Sequence, residues 1–140
     1  MCLLTIHTEP YLSLFFDQAN KWLYAEWQEH QNLETVHEGC QLLLQTIQEK
    51  KCYKLLNDTT RVVGMWSAAT ELIKNDFFQQ MGALGVSYIA WVHSSNCISR
   101  YTTDWLLQQV NSPVTTTFED LPAAYSWLQH CEAFCFLDKS

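Results

Sequence analysis

Apolar and polar residues alternate with a period of two through the first part of the chain, and the period lengthens after residue 30. Residues 2–7 (CLLTIH) and 11–17 (YLSLFFD) read as strands; in the second, Leu12, Leu14 and Phe16 fall on one face, and Tyr11, Ser13, Phe15 and Asp17 on the other. After the polar break Gln18-Ala19-Asn20, residues 21–27 (KWLYAEW) alternate again. Three strands with such short connections predict an antiparallel meander. Leu33, Val36, Cys40, Leu43, Leu44 and Ile47 then recur at helical spacing, with Asn32 as N-cap and Glu34 in the first turn.

Residues 53–56 form a short predicted strand that runs into the polar cluster Asn57-Asp58-Thr59-Thr60, and residues 62–65 read as extended. Ser67 caps a second predicted helix carrying Ala69, Leu72, Ile73, Phe77 and Met81, which Gly82 and Gly85 end. Val86 to Val92 is an almost unbroken apolar run, the mark of a central strand covered on both faces, and His93-Ser94-Ser95-Asn96 is its polar exit. A third helix spans residues 99–110, Pro113 precedes a Thr-rich strand at 114–118, and Asp120 caps a last helix bearing Leu121, Ala124, Leu128 and Cys131. The order β-β-β-α-β-α-β-α-β-α predicts an α/β fold with a mixed sheet: an antiparallel opening meander, then parallel strands joined by right-handed helical crossovers. Leu43, Leu44, Ile47, Ile89 and Leu128 lie on the inward stripes and are the expected core.

A chain of 140 residues fits a single domain over 1–140, and 48% hydrophobic with 16% charged residues fits a packed core rather than disorder. Six Trp, six Tyr and seven Phe are a heavy aromatic load, so some rings are expected at a surface that another molecule covers. Trp22 and Tyr24 share a strand face with Glu26, opposite Leu23, Ala25 and Trp27. If the latter face is core, Trp22 and Tyr24 are exposed and mark an interface with a protein partner or a second copy. The net charge of -7 without a basic stripe excludes nucleic acid and anionic membrane surfaces. No apolar stretch reaches the length of a membrane span, and the N-terminal residues lack the basic region and cleavage pattern of a signal peptide. Six cysteines without CxxC spacing then read as reduced, buried thiols of a cytoplasmic protein. His130, Cys131 and Cys135 share the last helix but lack a fourth ligand, so neither a metal nor a cofactor is expected.

Several stretches carry a family resemblance: FFDQANKWLYAEW (15–27), GCQLLLQTIQ (39–48), LLNDTTRVVGMWSAA (55–69), AWVHSSNCISRYTTD (90–104) and VTTTFEDLPAAYSWL (114–128). In order and covering nearly the whole chain, they resemble the bacterial STAS-like proteins related to anti-sigma-factor antagonists. The likeness is closer to an uncharacterised Bacteroidetes-type branch of STAS/CRAL-TRIO-like proteins. It implies a mixed sheet with helices and regulatory binding rather than catalysis. Anti-sigma-factor antagonists hold a phosphorylatable serine after an aspartate at a helix start; the corresponding place here is Trp66-Ser67, where tryptophan replaces the aspartate. The grouping of this fold class with CRAL-TRIO lipid carriers implies a lipophilic ligand as an alternative.

Ligands of open parallel sheets favour the crevice beyond the strands' C-terminal ends. There the chain offers Asn57, Asp58, His93 and Ser95 as a candidate ligand-binding set, with Arg61 and Arg100 near the same rim. The plainer reading is that these side chains hydrogen-bond the turns in which they sit. Asp58, His93 and Ser95 hold the residue types of a hydrolytic triad, yet no serine sits in a Gly-x-Ser-x-Gly elbow, so no catalytic residue is assigned. Ser67 is a candidate phosphorylation site whose ordinary role is a helix cap. Trp66 and Trp91 read as packing residues. The function expected is a non-enzymatic regulatory or scaffolding domain that binds a protein partner, itself included; the alternative is a carrier or sensor of a small, partly apolar ligand.

Overall fold

The early alternation is expressed as a meander of β1 (Leu3–Glu9), β2 (Leu12–Asp17) and β3 (Trp22–Glu29), paired antiparallel with Leu14 opposite Ala25. A computed structural model describes residues 2–63 and 72–132, with all side chains there except those of residues 97 and 98. β4 (Lys54–Val62), β5 (Tyr88–Val92) and β6 (Val114–Phe118) continue the sheet in parallel, so its order is β1-β2-β3-β4-β5-β6. The helices are α1 (Leu33–Lys50), α2 (a π-helical turn at Ile73–Phe77 running into Phe78–Ala83), α3 (Cys97–Leu107) and α4 (Leu121–His130). The predicted start of α2 at Ser67 lies outside the described residues.

Caps set the helix boundaries. Asn32 Oδ1 accepts from the Thr35 N–H at 2.9 Å while Thr35 Oγ1 accepts from the Asn32 N–H at 3.0 Å, a reciprocal box that satisfies two donors. Asp120 caps α4 through the Ala123 N–H at 2.8 Å. Asn96, read from sequence as loop, caps α3 through the Ser99 N–H at 3.0 Å and so starts it two residues before the predicted 99.

Right-handed crossovers in a sheet that grows in one direction place every connecting helix on one face, and the packing agrees. Leu23, Ala25, Trp27, Leu55 and Ile89 pack against Leu43, Leu44 and Ile47 of α1, Phe77, Phe78 and Met81 of α2, and Leu106 of α3. On the other face Trp22, Tyr24, Leu56, Tyr88, Ala90 and Val92 pack against Ala124 and Leu128 of α4. Lys54 ties α4 down, its buried Nζ donating to Leu128 O at 2.6 Å; burial pushes this ammonium below its ordinary range.

Two sequence expectations are corrected here. Trp22 and Tyr24 are 0% and 5% exposed, not an open contact surface, because α4 roofs the face that strand alternation leaves opposite Trp27. Trp22 meets Tyr125 of α4 edge-on at 5.1 Å, and Tyr24 stacks on Phe15 at 5.6 Å. The polar cluster at residues 57–60 is not a turn after a short strand; it is the middle of β4, which runs on to Val62.

Candidate functional site at the carboxyl ends of the parallel strands

β4 stays extended through polar residues because Asn57, Asp58 and Thr59 each find a partner on a neighbouring strand. Asn57 points under α1 and α2, where its Oδ1 accepts from Trp27 Nε1 at 2.8 Å. Thr59 donates to Val92 O at 2.6 Å. Asp58, one position from Asn57, leaves the opposite face. Its Oδ2 accepts from the Tyr24 hydroxyl at 3.0 Å, and its Oδ1 accepts from both the backbone N–H of Thr60, at 2.9 Å, and the Thr60 hydroxyl. The Tyr24 hydroxyl also lies 3.2 Å from Glu26 Oε2. Burial first, and then the two carboxylates beside it, hold this phenol's pKa well above its ordinary value. One extra residue in β4, between the pairs Glu26–Asp58 and Gln28–Arg61, brings the Arg61 guanidinium to 3.9 Å from Glu26 Oε1.

His93 follows β5 on the side of the crossover helices. Its Nε2 lies 3.3 Å from Asp104 Oδ1 on α3, while its buried Nδ1 has no partner among the described residues. Ser94 donates to Val62 O at 2.6 Å, and among the described residues the exposed Ser95 hydroxyl reaches Thr60 O, at 3.5 Å. At the neighbouring rim Arg100 pairs with Glu119 at 2.6 Å.

The four predicted ligand residues therefore do not converge. Asn57 and His93 share the face covered by the crossover helices, Asp58 faces α4's side of the sheet, and among the described residues Ser95 meets the Asp58 cluster through Thr60. The carboxylate beside His93 is Asp104, not Asp58, so the residues of the imagined triad stand apart as well. Successive strand positions point to opposite faces, and this is what parts Asp58 from Asn57. Beside Asn57, Cys40, Ile73 and Trp91 line a cavity of about 10 Å³, room for one water against the roughly 300–1,000 Å³ of small-molecule sites. Ser67 lies outside the described residues and remains a sequence expectation.

Sequence reasoning missed the outer side of α3. Ser99, Thr102, Thr103 and Leu106 are buried, whereas Tyr101 is 74% exposed and Trp105 46% exposed. This helix turns its hydroxyls inward and its aromatic rings to solvent, the reverse of an ordinary amphipathic surface helix. Tyr101, Asp104, Trp105 and Gln108 form one outward stripe at i, i+3, i+4 and i+7. The signal was available: aromatics four apart with Ser and Thr at the complementary positions.

A six-stranded sheet in sequence order, antiparallel then parallel, with crossover helices on one face and a closing helix on the other, is a STAS-like α/β fold. A solved protein shares it: the crystal structure of an uncharacterised DUF3478-family protein with a SpoIIAA-like fold from Shewanella loihica PV-4. It matches at a TM-score of 0.54 and 15% identity, over 90% of this chain and 91% of that one. Identity at that level carries the fold alone. No family model matches the sequence, and no curated protein matches it either. Among the described residues no helix is long and apolar enough to cross a membrane.

Proposed function

We propose that this protein is a non-enzymatic regulatory or scaffolding domain that docks a protein partner on the outer side of α3. The observation that supports this is the inverted helix: Tyr101 and Trp105 stand in solvent while α3 buries Ser99, Thr102 and Thr103. Exposed Trp and Tyr close to one another, with an Arg beside them, have the composition of interface hot spots. At the same rim the polar side chains of β4 and the turn after β5 are largely consumed by internal hydrogen bonds. The SpoIIAA-like fold suits such a role. Free thiols at Cys40 and Cys52, both buried and pushed upward in pKa by burial, fit a reducing cytoplasm.

A photo-crosslinking residue at Gln108, on the stripe, and another at Glu49, exposed on α1, test the reading in extracts of the native host. The expected result is a discrete protein adduct through position 108 only, suppressed by excess wild-type protein but not by excess Trp105→Ser. No adduct at 108, or equal adducts at both positions, overturns it.

A further inference from the structure

We infer that the partner seated on α3 is a second copy of this chain, the two α3 helices lying antiparallel across a two-fold axis. The inference rests on the reading of α3 as a docking surface and names its occupant. The exposed patch is self-complementary. In an isologous contact the same patch serves both copies, so each residue must find its complement within that patch. Tyr101 and Trp105 are four residues apart, and an axis passing between the levels of residues 102 and 103 brings Tyr101 of each copy to within one residue's rise of Trp105 of the other, and Arg100 to within one residue's rise of Asp104. Both rings are exposed, so both are free to stack.

The charges repeat the pattern. Arg100 and Asp104 are also four apart, beside the aromatic pair, and both reach solvent, with side chains 39% and 52% exposed. The Asp104 carboxylate meets His93 through Oδ1, and the Arg100 guanidinium meets Glu119 through one terminal nitrogen. Each group thus keeps further hydrogen-bonding atoms for the other copy. A patch carrying both signs one helical turn apart suits its own inverted image. It suits a uniformly basic partner poorly, although the chain's net charge of -7 would favour one.

Sedimentation velocity over a wide concentration range, with circular dichroism to confirm folding, tests the inference. Wild type is expected to form a concentration-dependent dimer, and Trp105→Ser or Tyr101→Ser to raise its dissociation constant by about tenfold or more. Arg100→Asp alone places two acids on the patch and Asp104→Arg alone places two bases there, so each is expected to be monomeric. Mixed, the two variants are expected to form a heterodimer, an outcome that merely lost packing does not produce. A wild type that stays monomeric at the highest concentration overturns self-association, and adducts at Gln108 to another protein would then still uphold the docking reading. A dimer that persists in both serine variants, or a mixture of charge variants that stays monomeric, overturns the α3 geometry.

Discussion

Gly39 of α1 lies against the indole of Trp27 on β3: a Cβ on that glycine would come within 2.6 Å of Trp27 Cζ3, and closer still to Cη2. The glycine is what lets the helix settle this near the sheet. In an open helix, Gly→Ala gains roughly 1 kcal/mol. Here Gly39→Ala is expected to cost about 1–3 kcal/mol in urea denaturation, the usual range for overpacking. Adding Trp27→Phe should return some of that loss, a non-additivity that a double-mutant cycle reads directly.

The bond from Trp27 to Asn57 is buried at both ends. Asn57→Leu leaves the indole N–H without its acceptor and is expected to cost about 1–3 kcal/mol. In a Trp27→Phe background the same change should cost much less, since no donor remains to be stranded. Equal costs in the two backgrounds would show that the bond is not what stabilises β4.

Stability should fall on the alkaline side. Burial pushes the Cys52 thiol up to about 11 from an ordinary 9.0, and holds Cys40 and Tyr24 higher still. A group whose folded pKa is raised keeps its proton in the native state after the unfolded chain has lost it, so unfolding gains free energy as pH rises. The contribution of Cys52 is complete below pH 9 and is lost between 9 and about 11. Urea midpoints across that window should decline in wild type and decline less steeply in Cys52→Ala. Identical slopes would show that the thiol ionises freely in the folded protein.

Lys51 ends α1 in the left-handed region, at φ 56° and ψ 47°. A side chain there costs roughly 1–2 kcal/mol, and glycine's extra freedom in the unfolded chain returns about half of that gain. Lys51→Gly is therefore expected to stabilise the protein by about 0.5–1 kcal/mol, seen as a higher melting temperature.

The helices and the meander were legible because each has a strong local cause. The stripe from Val36 to Ile47 and the caps Asn32 and Asp120 stand where the spacing puts them, and Leu43, Ile47, Ile89 and Leu128 are fully buried. The arrangement at the carboxyl ends of the parallel strands was not legible, for a reason of register. Asn57 and Asp58 read as a turn, since the buried partners that keep them extended, Trp27 and Tyr24, are 30 and 34 residues away in sequence. Trp22 and Tyr24 read as exposed because alternation identifies a second face without saying whether anything covers it. The cover is α4, whose place follows only from the handedness of three crossovers.

Strand order equal to sequence order shapes assembly as well as architecture. This order allows β1 to be added at one margin of a β2–β3 pair, and β4, β5 and β6 in turn at the other. Accretion of this kind never has to pull apart a bonded pair of strands in order to admit another between them. Each addition closes only its own connection, and the entropy of that closure grows slowly with length, by about 0.6 kcal/mol for every doubling. A strand lost from either margin leaves the remaining ladders paired, so opening of the sheet from its edges need not disrupt its centre.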